Sequence, residues 1–548
     1  RLIKTLSKAQ KMEREKFRMP RSVQDAIPIR RIFADGIFQV GNQYSKTWSF
    51  TDINYAIASK EDKTSMFLDY SELLNALDSG ASAKITIYNR RINKAEFEHS
   101  VLLPDRGDGL DEYRHEFNQM LTAQVTGTSN SIVRERYLTV SVVKRNADEA
   151  RSYFARVGTD LVTHLAQLSS VANELTLTER LHIFRDFFKA GEQAAAEFNI
   201  HKHAKRGQHF KDWFCPDSME FAADHFKLDA RYGRVLYLQD YASYIKDSFV
   251  SELCDLDRDL MLSIDILPVP TDEAARQLQS TLLGVETNVA NWQRRQNANN
   301  NFTATIPYDM ELQRKETKEM LDDLTTRDQR MMFGLVTLVH LADSKEQLDS
   351  DTETLYSTAR KHLCQLSTLR WQQKDGLDTV LPYGLRKIQA LRTLTTESTA
   401  VLIPFRAQEI MQPNGLYYGQ NAVSKNMIVA DRRLLLNGNS FRLGVSGSGK
   451  SMSAKEEIVQ IALSTEDDIF ILDPESEFGY LTEALGGEVI RISATSDTHI
   501  NALDMDRAYG DERNPIVSKS EFVLSLFEQL IGDGMVTAKE KSILGRCT

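Results

Sequence analysis

The run GVSGSGKS, Gly444 to Ser451, constrains this chain more than any other stretch of it. Glycine carries no Cβ, so a chain built on Gly444, Gly447 and Gly449 turns tightly and can aim successive N–H groups at one anion. The preceding FRLGV predicts a strand over Phe441 to Val445, and SAKEEIVQIAL predicts a helix from Ser451 to Leu463. The apolar run Ile469 to Leu472 predicts the next strand. Strand, glycine loop, helix and strand in that order form the first unit of a doubly wound sheet. The run matches G-x-x-x-x-G-K-[ST] at every fixed position, which implies a phosphate-binding loop (P-loop) at a helix N-terminus. The expected nucleotide-contacting set is Gly444, Ser446, Gly447, Ser448, Gly449, Lys450, Ser451 and Met452. Lys450 is placed to reach the β- and γ-phosphates as a catalytic cation, and the Ser451 hydroxyl to ligate Mg2+, so the implied cofactors are ATP and Mg2+.

Asp473 closes the run IFILD, and DPESEF follows it. A carboxylate there resembles a Walker B ligand, but this is the first strand after the loop helix, so the stretch reads as a strand-end acidic segment. Glu475 and Glu477 fall at the carboxyl end of the expected strand, where ligands sit in open α/β sheets. Both are candidate catalytic residues, for positioning water or coupling; the alternative is a solvated acidic loop. Arg491, after the GGEVI turn, reads as an edge-strand charge more readily than as a nucleotide sensor.

The rest of the chain sets limits. With 548 residues it exceeds one hydrophobic core, and about two to four domains are expected. A net charge of −10 disfavours general coating of nucleic acid, though not a local basic channel. The four cysteines, Cys215, Cys254, Cys364 and Cys547, form no CxxC pair and suggest reduced thiols in a cytoplasmic protein. No run of about eighteen apolar residues and no apolar signal core occurs, so membrane association is expected to be peripheral.

Residues 1–31 are a basic leader, either solvated or a docking strip for an anionic surface. Residues 32–270 are expected to form an α+β domain. Within it Ile37 to Val40, Thr47 to Phe50, Lys84 to Tyr88, Tyr137 to Val143 and Leu260 to Leu267 predict strands, and Asn146 or Asp148 caps a helix over Glu149 to Leu168. Residues 271–398 continue it with helical Thr271 to Leu324, a surface turn at Gln293 to Asn301, a strand over Phe333 to Leu341 and a helix over Ser344 to Leu366. Residues 399–548 are assigned to the P-loop domain, with short strands at Leu416 to Tyr418 and Met427 to Val429. No period of roughly 20–50 residues appears, which excludes a repeat array. In NIHKHAKRGQHFKDWFC, His201, His203, His209 and Cys215 match no zinc spacing, and the lysines disfavour a cation. Trp213 and Phe214 could instead stack on nucleic acid beside those basic residues.

GLYYGQNAVSKNMIV, GVSGSGKSMSAKEEI, ILDPESEFGYL and GGEVIRISATSDTHINALD occur in order. Together they resemble the ATPases of conjugative transfer and type IV secretion machines, in the branch of Gram-positive conjugative elements. ADGIFQVGNQYSKTWSFTDINYA and YLTVSVVKRNADEARSYFARV resemble that family's channel-facing region. The resemblance implies an α/β chain: an N-terminal α+β channel-docking domain, then a RecA-like P-loop NTPase domain. It implies ATP hydrolysis, a homo-oligomer (a hexamer) and channel-protein partners at the cytoplasmic face of the inner membrane. Direct DNA contact, as in related DNA-pumping translocases, and a nucleotide-binding assembly scaffold are the alternatives. About a hundred residues follow Lys450 and no later apolar run ends in Asp-Glu, so the NTPase domain reads as its first part, without the Walker B, sensor and arginine-finger residues.

Overall fold

The computed structural model describes residues 20, 22–91, 101–127, 132–189, 198, 205, 207, 209–242, 244–299, 301, 305–412, 414–493, 495–499, 501–504, 515–532 and 534–547. The basic stretch before residue 20, His201 and His203 lie outside them. The chain divides into two compact units between Phe441 and Arg442. Residues 399–441 belong to the first. The protein is mixed α/β with a large antiparallel sheet. Among the described residues no helix is long and apolar enough to cross a membrane.

The sheet of the first unit arises from strands with alternating side chains. Its first half holds β1 (Arg31–Ile32), β2 (Phe38–Val40), β3 (Gln43–Phe50), β4 (Ala81–Arg91), β5 (Ile132–Val143) and β6 (Ala172–Glu174). Helices α1 (Lys60–Asn75), α2 (Asp111–Gly127), α3 (Ala147–Gln167) and α4 (Leu177–Phe188) connect or follow them. The second half holds β7 (Met219–Phe221), β8 (Phe226–Leu228), β9 (Arg231–Asp240), β10 (Leu260–Pro268), β11 (Met331–Ala342) and β12 (Gln365–Thr368). Its helices are α5 (Phe249–Leu253), α6 (Thr271–Ala298), α7 (Tyr308–Thr326), α8 (Lys345–Lys361) and α9 (Gln373–Val380).

The two halves are copies of one topology. In the first, β1 pairs β2, β2 pairs β3, β3 pairs β5 and β6, and β5 pairs β4. In the second, β7 pairs β8, β8 pairs β9, β9 pairs β11 and β12, and β11 pairs β10. An antiparallel β4–β10 ladder joins them, so the strand order reads the same from either edge. Local details repeat as well. Asn146 caps α3 by accepting from the Glu149 N–H, and Ser344 caps α8 by accepting from the Gln347 N–H. Each helix ends on a left-handed residue, Ser169 or Leu363, followed by the same closing bond: Ser170 N–H to Leu165 O (2.9 Å) and Cys364 N–H to Ala359 O (3.0 Å). Arg180 of α4 donates to Ser45 O on β3, while Gln373 of α9 bonds both main-chain groups of Val235 on β9. Such a duplication has a period far longer than those of repeat arrays.

Alternation along the central strands gives the sheet two unlike faces. Ile85, Ile87, Leu138, Val140, Leu262 and Ile264 face a core covered by α1, α3, α5 and α8. The opposite face carries a polar seam through its middle. Thr47 and Thr139 share a hydroxyl bond (2.9 Å), as do Thr86 and Ser263 (3.0 Å), and Lys84 pairs with Asp265 (3.1 Å). The end of α9 and the residues after it close this seam: Val380 O accepts from Ser263 and Tyr383 O from Ser45, while Thr379 O accepts from the Lys84 ammonium. Burial alone pushes the Asp265 carboxyl up and the Lys84 amine down, and the ion pair opposes both shifts. The flanks of this face are apolar again, with Leu181, Phe184 and Phe188 of α4 against Tyr383 and Phe214.

The helix expected over Ser344 to Leu366 stops at Lys361, because Leu363 takes a left-handed turn and β12 then joins β9. Gln293 to Ala298 are the last turns of α6 rather than a surface turn, since α6 packs along α7 and neither Gly nor Pro interrupts it between Gln293 and Ala298. β13 (Arg392–Thr395) adds to β11, α10 (Thr396–Ala400) follows, and β14 (Leu416–Gln420) and β15 (Met427–Ala430) form a separate hairpin. In the second unit the described residues form helices only: α11 (Lys450–Ser464), α12 (Gly479–Ala484), α13 (Pro515–Ile531) and α14 (Ala538–Cys547). The strands expected at Phe441 to Val445 and Ile469 to Leu472 are absent. Parallel strands need neighbours and cover on both faces, and Leu443, Phe470 and Leu472 are more than 90% exposed.

Candidate functional site

The glycine loop opens directly into α11. Gly447 (φ +79°) and Gly449 (φ +89°) both lie in the left-handed region, and a Cβ at either would meet nothing within 4 Å, so the loop crest is bare backbone. Gly444 is closed instead: a Cβ there would run into the Ser448 hydroxyl. Gly449 occupies the N-cap, which leaves the first turn of α11 without a side-chain cap. Its orphan N–H groups and the positive end of the helix dipole therefore face outward beside Ser451 and Met452.

Lys450 turns back over the loop, its ammonium donating to Gly444 O (2.8 Å) and Val445 O (3.0 Å). Ser448 N–H donates to Val445 O (3.2 Å) and sets the height of the crest. The ammonium thus rests on carbonyl oxygens alone, with no carboxylate partner among the described residues.

Two contacts attach neighbouring segments to the same helix. Arg442, just before the loop, forms an ion pair with Glu457 of α11, whose side chain is largely buried. Lys455 of α11 stands over the Phe478 ring, 5.3 Å from its centroid. Phe478 ends the acidic turn, which Asp473 organises: one carboxylate oxygen accepts from Glu475 N–H (3.2 Å) and the other from Phe478 N–H (2.8 Å). The Asp473 carboxylate is therefore engaged in holding the turn. Glu475 and Glu477 project from that turn into solvent. No hydrogen bond or ion pair among the described residues joins them to Lys450.

The loop, Lys450, Ser451 and the acidic turn are legible in the sequence, whereas Arg442, Glu457, Lys455 and Phe478 are not. The available signal was the spacing of Glu457, Gln460 and Leu463, which marks a buried stripe on α11. Arg491 is exposed.

The described stretch His209 to Cys215 is structural. His209 caps a short turn through Lys211 N–H (3.2 Å), the Lys211 ammonium donates to Gln24 O and Ile27 O, and burial pushes the Cys215 thiol up to about 12. Trp213 and Phe214 are buried in the core and so cannot stack on bases. No group of three or more potential metal ligands occurs among the described residues.

No protein-family model matches the chain, and no curated protein is significantly similar to it.

Proposed function

We propose that the chain is a nucleotide-binding ATPase of the P-loop class, the energising subunit of a conjugative-transfer or type IV secretion channel. The observation that carries this reading is the Gly444–Ser451 loop: a bare glycine crest, an uncapped helix N-terminus behind it, and a lysine ammonium held, among the described residues, by loop carbonyls alone. These residues fit Mg·ATP. The crest leaves room for phosphate oxygens, and the N–H groups at the start of α11 supply donors. Lys450 can exchange two carbonyls for a phosphate, and the Ser451 hydroxyl can reach the metal. Bound Mg2+ would neutralise charge building on the transferring phosphoryl group.

In this reading the second unit, residues 442–548, carries the start of a RecA-like domain. The exposed apolar stretches at Phe441 to Val445 and Ile469 to Leu472 are strands awaiting neighbours. Glu475 and Glu477, on the turn that meets α11 through Phe478, are the candidates for positioning water. The duplicated antiparallel unit is the docking part, facing channel proteins at the cytoplasmic side of the inner membrane, with hexamers as the working form. The ordered resemblance of four sequence segments supports this assignment, and no structural observation favours direct action on DNA.

The test is binding of a fluorescent ATP analogue with Mg2+ to the 548-residue chain. Replacing Lys450 with Ala should weaken it by about ten- to a hundredfold, since a hydrogen bond to a charged group is worth about 1.5–3 kcal/mol. Equal affinity of wild type and variant would overturn the assignment.

A further inference from the structure

We infer that Arg442 is a positioning residue for this phosphate loop, bracing the loop's incoming arm against α11 at the moment Lys450 lets go of it. This rests on the proposed nucleotide site and adds a residue that the glycine pattern does not contain.

The geometry is a double tie. Lys450 and Glu457 are seven residues apart on α11, which places them on one helix face two turns apart. The arm entering the loop is attached to that face at two levels. At the upper level the Lys450 ammonium holds the carbonyls of Gly444 and Val445. At the lower level the Arg442 guanidinium holds the Glu457 carboxylate.

The two ties differ in what a ligand does to them. A phosphate takes the Lys450 ammonium, since a charged acceptor outbids two neutral carbonyls. The upper tie is then lost as an obligatory part of binding. The lower tie is remote from the phosphates and stays closed, its carboxylate shielded by the helix surroundings. Without Arg442, the arm from Phe441 to Val445 would lose both levels together. It has no ladder to hold it among the described residues, and its Phe441, Leu443 and Val445 side chains are exposed. Phosphate binding would then have to bear the entropy of ordering that arm. Lys455 cannot substitute, because it belongs to α11 itself and not to the arm.

The experiment measures Mg·ATP, Mg·ADP and adenosine binding to the whole chain for wild type, Arg442→Ala, Arg442→Lys and the exchanged pair Arg442→Glu with Glu457→Arg. Arg442→Ala should lose about tenfold in affinity for both nucleotides, the worth of one charge-assisted bond. Adenosine binding should not change, since the brace shapes only the phosphate cradle. Arg442→Lys and the exchanged pair should recover most of the loss. If wild type binds Mg·ATP and Arg442→Ala binds it equally well, the inference fails alone. If Arg442→Ala weakens adenosine as much as ATP, or the exchanged pair stays as weak as the single variant, Arg442 supports only the general fold of the unit and the inference again fails. If wild type binds no nucleotide, the site assignment itself falls and takes the brace with it.

Discussion

KITIY, Lys84 to Tyr88, and IFILD, Ile469 to Asp473, are nearly the same kind of sequence, yet the structure treats them in opposite ways. The first is the middle of β4, with β5 on one side and β10 on the other, and Ile85 and Ile87 are 3% and 2% exposed. The second belongs to no strand, and Phe470 and Leu472 are 92% and 98% exposed. Strand propensity is mostly a measure of fit to a pleated, half-buried surface. Where partners on both edges exist the run becomes a strand; where none does, its hydrophobicity stays in solvent. The first unit is therefore stitched by long-range ladders, while the second is held by helices and by single contacts to α11.

Hydrogen exchange offers the largest contrast. Amides of Ile85 to Tyr88 should exchange at least about a thousandfold more slowly than those of Phe470 to Leu472, because opening β4 requires opening the sheet. Comparable rates would mean that the second stretch is paired in solution and would erase the contrast.

A smaller effect concerns the polar seam. All four tryptophans lie in the first unit, so their fluorescence reports its unfolding alone. Lys84→Met should destabilise that unit by about 3–5 kcal/mol, since it leaves the Asp265 carboxylate buried without its cation. Adding Asp265→Leu should restore most of the loss. If the double variant is as unstable as the single, the seam depends on its charges rather than on their mutual satisfaction.

The smallest effect is on acid stability. His340 on β11 is fully buried, touches Thr352 (3.1 Å), and is pulled down to about 3, by burial first and by the Arg234 cation second. The folded state therefore resists a proton that the unfolded chain accepts below its usual value of about 6.5. Stability contributed by neutral His340 is complete above that value and is lost as pH falls from there towards 3, at up to about 1.4 kcal/mol per pH unit. His340→Gln should flatten this part of the acid limb in tryptophan-monitored unfolding between pH 6.5 and 5. An unchanged slope would place the acid sensitivity in other groups.

Local signals were legible in the sequence. Asn146 as a cap, the strands around Lys84 and Tyr137, and the glycine loop all depend on residues within a few positions of one another. β9 is hidden in the sequence, although RYGRVLYLQD carries the alternation of a strand, because its arginines and glycine mask the apolar set. The duplication was illegible for a different reason. It resides in which strands pair, and insertions of unequal length, α2 in one half and the α6–α7 hairpin in the other, obscure the spacing. At the candidate site the loop could be read because glycine spacing is itself the geometry. The Arg442–Glu457 and Lys455–Phe478 contacts could not, since each links segments whose approach depends on how α11 lies. The runs at Phe441 and Ile469 form no strand, because a short apolar run says nothing about whether a neighbour is present.

The join between the two copies also orders events during synthesis. The strands and helices of the first half have all been made once Phe188 has emerged, yet β10, which covers the outer edge of β4, begins only at Leu260. For that interval β4 is an open edge in the middle of the future sheet, exposed to any other nascent strand. Lys84 sits on that edge as a gatekeeper, because an inward-pointing charge makes wrong edge-to-edge pairing costly. When β10 arrives it brings Asp265 opposite Lys84, so the same side chain that discourages foreign strands identifies the right one.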